Sequence, residues 1–199
     1  MRLRVCVALL SVATAAVLYA ADAPKQAAPS ADEKAAMDAM MKAATPGDAH
    51  KKLNALVGTW DSKVKMWMAP GAPPAESGGT SVNQWVLGGR YIEQRFEGNF
   101  MGMPYSGLGY TGYDNVKQQY FGTYMDNMGT GVATSTGKLD GPNHWTFSGR
   151  ETDPVTGKDA PFEQHMSITD NDHILFDMWS PGPDGKMLKM MEITYVRKK

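Results

Sequence analysis

The sequence predicts an all-β protein: one antiparallel, up-and-down β-barrel of about ten strands, preceded by N-terminal helices. Three observations carry this. From Thr59 to the C-terminus, β-forming residues recur at period two in short runs. Each run ends in a turn cluster, such as Asp114-Asn115, Asp140-Gly141-Pro142-Asn143 or Asp170-Asn171-Asp172. No helical stretch separates the runs, so hairpins rather than crossovers join them. An open sheet this wide would leave exposed edges, and closure removes them.

The elements follow in order. Met1-Arg2-Leu3-Arg4 is a basic start, Val5 to Leu18 is uncharged and apolar, and small residues follow at Ala20-Ala21-Asp22-Ala23. The run is short for a membrane span and reads as an export signal over residues 1–23, with a periplasmic or secreted destination. Cys6, the sole cysteine, would leave with it, so neither a disulfide nor a thiolate ligand is expected in the mature chain. Loss of that segment, with Arg2, Arg4 and Asp22, would leave 18 basic against 20 acidic residues. With no basic block beyond Arg197-Lys198-Lys199, nucleic acid and anionic lipid are poor partners.

Residues 24–47 read as a linker and a first helix. Ser30-Ala31-Asp32-Glu33 has capping-box spacing, and a helix over Asp32–Ala44 follows, with Met37, Met40, Met41 and Ala44 on one face. That stripe is expected to pack on the body of the protein. Thr45-Pro46 reads as the start of a second helix over Asp48–Leu56, with His50, Leu53, Leu56 and Val57 on one face.

The barrel domain is placed over residues 48–199. In strand one Trp60, Ser62, Val64, Met66 and Met68 share a face opposite Lys63 and Lys65, so the Trp60 face is inward. Gly88-Gly89 reads as a two-residue hairpin turn between Thr80–Leu87 and Arg90–Gly98. Later strands span Tyr105–Tyr113, Gln118–Asp126, Gly131–Leu139, His144–Thr152, Lys158–Thr169, His173–Ser180 and Lys186–Val196.

Gly58-Thr59-Trp60, entered from a short helix, resembles the Gly-x-Trp signature of lipocalin-like barrels, in which the tryptophan packs across the closed end. Leu53-x-x-Leu56-Val57-Gly58-Thr59-Trp60, Leu87-Gly88-Gly89-Arg90-Tyr91, Gly112-Tyr113-Asp114-Asn115, Asp153-Pro154-x-x-Gly157 and Asp184-Gly185-Lys186 together resemble the bacterial family labelled domain of unknown function 1579, over about Asp48 to Arg197. The resemblance implies a calycin-type barrel and no established activity. Small haem-binding barrels with a similar opening show Gly-x-Trp-x-Gly-x-Gly and a histidine near the C-terminus. Here Ser62 and Val64 stand at the glycine positions and Lys186–Lys199 holds no histidine, so haem is disfavoured and no cofactor is expected.

Chemistry is sparse. His50, His144, His165 and His173 lack metal-ligand spacing, and alternation turns His165 outward. No Gly-x-Ser-x-Gly or Ser-x-x-Lys nucleophile occurs, so no catalytic residue is assigned. Met66-Trp67-Met68 and Met101-Gly102-Met103 each place two thioethers on one side of an extended segment, a pattern suited to Cu(I), but Met66 and Met68 lie on the expected inner face and core filling is the favoured reading. The inward polar residues are more informative. Gln84 alternates with Val82 and Val86, Gln94 with Ile92 and Phe96, and Gln164 with Phe162 and Met166. Buried amides require partners, so they point to a polar network or to a ligand. With Tyr124, Asp126, Phe176, Met178 and Glu192 they define an expected lining for a small, mostly apolar molecule. A filled barrel acting as a structural or protein-interaction module, and an enzyme using Glu192 and Asp126 as inner carboxylates, remain the alternatives.

Overall fold

A computed structural model describes residues 29–182 and 184–199. The expected leader, residues 1–23, lies outside the described residues. Ten strands close into one antiparallel barrel: β1 (Gly58–Met66), β2 (Ala75–Val86), β3 (Tyr91–Phe100), β4 (Met103–Asp114), β5 (Gln119–Asp126), β6 (Ala133–Leu139), β7 (His144–Thr152), β8 (Asp159–Asp170), β9 (His173–Pro181) and β10 (Met187–Arg197). Each pairs with its neighbour in sequence, and β1 pairs with β10, from Trp60 opposite Arg197 to Met66 opposite Met191. Every strand therefore has two partners, and no strand edge is left to recruit another chain.

Two helices precede the barrel. α1 (Ala31–Ala44) has the expected capping box: the Glu33 amide donates to Ser30 Oγ, and Glu33 Oε2 accepts from the Ser30 amide. Its methionine stripe does not pack. Met37, Met40 and Met41 are all exposed, and α1 buries no residue. The helix is held at its C-terminal end, where Asn115 Nδ2 donates to the carbonyls of Ala43 (3.0 Å) and Thr45 (2.8 Å). α2 (Asp48–Lys52) starts at the expected Asp48, with Gly47 rather than Thr45 at the N-cap, and runs into a 3-10 turn over Leu53–Leu56. His50 faces inward there. The Gly47 amide donates to its Nδ1 at 3.1 Å, and burial pushes its pKa below the ordinary imidazole value. No helix among the described residues is long and apolar enough to cross a membrane.

The 3-10 turn seals one end. Leu53 and Trp60 are 0% exposed and Trp145 is 1% exposed, with Ile92, Tyr120, Phe147 and Ile174 packed beside them. Trp60 Nε1 donates to the Leu56 carbonyl at 2.9 Å, and the Arg197 guanidinium lies 4.0 Å over the Trp60 ring. Arg197 also donates to the carbonyls of Val57 (2.7 Å) and Asn171 (2.8 Å), tying the last strand to the start of the first. The Gly-x-Trp segment thus closes the barrel as its pattern implied.

The first hairpin differs from expectation. Its turn is four residues, Leu87–Arg90, closed by the pair Val86 and Tyr91. Leu87, Gly88 and Gly89 take φ of 49°, 67° and 80°, a run of left-handed backbone that glycine adopts without steric cost. Pairing with Trp60 on β1 and with Phe96, Gln94 and Ile92 on β3 turns Ser81, Asn83 and Trp85 inward, and Val82, Gln84 and Val86 face out, against the expectation for this strand; Val82 is 42% exposed.

Candidate ligand site

The interior is built in three levels. The floor is the sealed aromatic end. Above it runs a polar chain on β2 and β3: Gln94 Nε2 donates to Ser81 Oγ (2.9 Å), Ser81 Oγ to Asn83 Oδ1 (2.9 Å), and Asn83 Nδ2 to the Leu56 carbonyl (3.0 Å). Each buried polar atom in this chain has a partner, so the amides beside the floor hold the barrel and its cap together. Gln94 also supports the hydroxyl of Tyr195, whose pKa is raised chiefly by burial, then by Tyr124.

The open half carries the rest. Tyr105 donates to Asp126 Oδ2 at 2.9 Å and lies 3.3 Å from the Tyr124 hydroxyl, while Asp126 Oδ1 accepts from the Met128 amide at 2.9 Å. Both tyrosine hydroxyls have raised pKa values, first through burial, and remain neutral donors at physiological pH. Glu151 faces inward two strands away, and burial, then the charge of Asp126, raises its carboxyl pKa. Phe96 stacks edge-on against Tyr105, with centroids 5.7 Å apart.

Two glycines keep these rings against the wall. A Cβ at Gly107 would overlap the Tyr124 hydroxyl, and one at Gly149 would overlap the Phe162 ring. Each ring therefore lies over a neighbouring strand. The accessibility pattern agrees. Gln94, Tyr105, Tyr124, Gln164, Phe176 and Tyr195 all point inward yet keep partial solvent-accessible surface, in contrast to the sealed floor.

Of the expected lining, Gln94, Phe96, Tyr124, Asp126, Gln164, Met166 and Met178 do face the interior. Gln84 and Glu192 do not. Gln84 Nε2 reaches Glu93 Oε1 (3.3 Å) on the outer wall, beside Arg95 Nε at 2.8 Å and the Tyr110 hydroxyl at 2.8 Å. Those bonds, the Tyr110 contact first, hold the Glu93 carboxyl below the usual range. Glu192 also faces out, accepting from Lys189 Nζ at 3.0 Å beside Asp177, because Met191, Ile193 and Tyr195 hold the inward phase of β10. The pair Glu192 and Asp126 is therefore split by the barrel wall, and the carboxylate mechanism built on it has no site. Tyr105, Glu151, Met191 and Tyr195 are interior residues that the sequence reading did not single out. The alternation Tyr105-x-Gly107-x-Gly109 was the available signal for the first.

The outer wall holds its own features. His165 faces out, as alternation implied, and stacks on His144 at 5.6 Å while its Nε2 contacts Glu163 at 2.8 Å. Among the described residues no group of histidine, cysteine and carboxylate side chains is placed to hold a metal ion. Two hollows of about 240 Å³ and 510 Å³ lie outside the barrel, along β3–β5 and β6–β8.

The DUF1579 family model, a protein family of unknown function, matches residues 45–197, the cap and the whole barrel. The chain belongs to the DUF1579 family. No curated protein matches the sequence. Among solved structures, this DUF1579 barrel is similar to Rv2717c from M. tuberculosis, at 16% identity and a TM-score of 0.57, over 78% of this chain and 100% of that one. It is also similar to the S-type phycobiliprotein lyase CPES from Guillardia theta, at 15% identity and a TM-score of 0.52, over 80% and 97% of the two chains. At these identities the likeness is one of fold.

Proposed function

We propose that this DUF1579 protein binds one small, mostly apolar molecule inside the barrel, entering by the end opposite Trp60. The observation behind this reading is the contrast between a sealed floor and an inward lining that stays accessible above it. Barrels of this size enclose an interior that either fills with side chains or takes one small ligand. Phe176, Met166, Met178 and Phe96 supply apolar surface, while Gln164, Tyr105, Tyr124 and Asp126 supply a few oriented polar groups, the mixture expected of such a site. The phycobiliprotein lyase named above shares the fold; ligand binding here rests on this chain's own lining. The protein acts after export, with its leader removed.

Native mass spectrometry of full-length protein isolated from its own host tests this. A reproducible added mass is expected, lost in Gln164→Leu while the urea midpoint holds. A bare mass, together with no displaceable uptake of an apolar fluorophore, would establish the filled barrel instead. Cell fractionation checks the export: a precursor-length species confined to the cytoplasm contradicts it.

A further inference from the structure

Three methionines from three adjacent strands meet on the inner wall of the open half. The register sets Met66 of β1 opposite Met191 of β10, and Met191 opposite Met178 of β9. All three share the face of Val64, Ile193 and Phe176, and all three keep solvent-accessible surface where Val64 and Ile193 are buried. Residues directly opposite on antiparallel strands have Cβ atoms roughly 4.5–5.5 Å apart. A thioether on a flexible three-bond stem spans that gap easily, so the sulfurs of the two outer methionines can both converge on that of Met191.

The backbone is shaped to put the central one there. The β9–β10 register shifts between Lys189 and Met191, so that Lys189 faces Trp179 on the outer wall and Met191 faces Met178 on the inner one. Met190 is the inserted residue, and its carbonyl accepts from the Trp67 amide at 2.9 Å, which ties the bulge to the end of β1. Without that insertion, Lys189 and Met191 would share a face. Bulges of this kind commonly re-aim one side chain beside a site.

The surroundings suit a cation. Lys65 and Lys189, nearest in sequence to the trio, both face outward and pair there with Glu192 and Asp177. The inward carboxyls Asp126 and Glu151 lie at the same end of the barrel. Further thioethers surround the mouth: Met68, Met101, Met103, Met128 and Met187 are all exposed on the loops and strand ends of that end. A soft ion could pass inward by exchange from one sulfur to the next.

We propose that Met66, Met178 and Met191 form an all-thioether site for a soft monovalent cation, Cu(I) in class. Thioether sulfur selects Cu(I) over Zn(II), Mg(II) and Ca(II), which prefer imidazole, thiolate or oxygen. The adjacent pairs visible in the sequence, Met66 with Met68 and Met101 with Met103, are not this site; it arises from strand pairing. It is independent of an apolar ligand, and either can stand without the other.

Ag(I), a redox-stable monovalent probe, tests the proposal on the full chain carrying 13C-methyl methionine. Titration is expected to shift the Met66, Met178 and Met191 methyl resonances together, saturating at one ion per protein before the mouth methionines respond. Leucine keeps the volume and apolarity of methionine and removes only the sulfur. Met191→Leu should therefore leave the urea midpoint in place and weaken Ag(I) binding by at least about tenfold, the scale on which even outer-shell changes act at metal sites. Leucine at all five mouth positions should leave the inner affinity intact. First shifts at the mouth methionines, or undiminished affinity in the Met66→Leu, Met178→Leu, Met191→Leu triple variant, would overturn the site. Displacement of Ag(I) by a modest excess of Zn(II) would do the same.

Discussion

At the scale of single residues, the closed end depends on Trp60 and His50. Trp60 is fully buried, hydrogen-bonded to the cap and covered by Arg197. Trp60→Ala should destabilise the protein by about 3–5 kcal/mol, the range for large aromatic-to-alanine core changes. A urea midpoint within error of wild type would contradict that. His50 carries a pH dependence of definite sign. Its folded pKa is depressed chiefly by burial; a hydrogen bond to the Tyr113 backbone opposes this in part, and the Arg90 charge adds a smaller push downward. On acidification the unfolded chain takes the proton first, near the ordinary value of about 6.5. Its stabilising contribution is thus full above that value and declines as pH falls through it toward the folded pKa. Urea midpoints at pH 7.5 and 5.5 should differ more for wild type than for His50→Gln; equal differences would remove His50 as the cause.

At the scale of elements, α1 and the first hairpin show which signals transfer. α1 forms where its capping box and helix formers place it, yet its methionine face meets solvent. Removing residues before Thr45 should therefore change Tm by no more than about 2 °C, since surface changes away from caps and packing cost little. Differential scanning fluorimetry decides; a loss of many degrees would mean that α1 is packed in solution. The misread face of β2 has a specific cause. A two-residue turn at Gly88-Gly89 and the observed four-residue turn share one register, with Val86 opposite Tyr91 and Gln84 opposite Glu93, so turn length leaves the faces of β2 unchanged. The apolar alternation of Val82 and Val86 pointed to the wrong face, although Gln84 lies opposite the outward Glu93. The inward positions are Ser81 and Asn83, polar residues that the cap's Leu56 carbonyl and Gln94 satisfy from other elements.

At the scale of the whole molecule, closure is the organising fact. β10 completes the ring against β1, and Arg197 ties it to Val57 and Asn171. A chain ending before Met187 would expose the edges of β1 and β9, both otherwise paired throughout. It should fail to give a monodisperse monomer on size-exclusion chromatography. A monomer that unfolds cooperatively would show that nine strands suffice. Closure also creates the interior: Gln164 and Met178 lie on adjacent strands, but Phe96, Gln164 and Met66 share a chamber only because the ring is complete.

The sequence by itself determined the all-β class, the strand order, the closed end at Trp60, the outward turn of His165 and the inward turn of Gln94, Gln164 and Met178. These depend on local periodicity and on turn residues, both written along the chain. Only the tertiary structure decided the faces of Gln84 and Glu192 and the meeting of Met66, Met178 and Met191. The face of β2 is settled by its pairing with β1 and β3 rather than by its own apolar alternation, and an inserted residue such as Met190 restarts the alternation without any sequence mark. Which side chains meet across strands depends on register. Register is settled by the sum of all ten pairings around the closed ring rather than by any one segment.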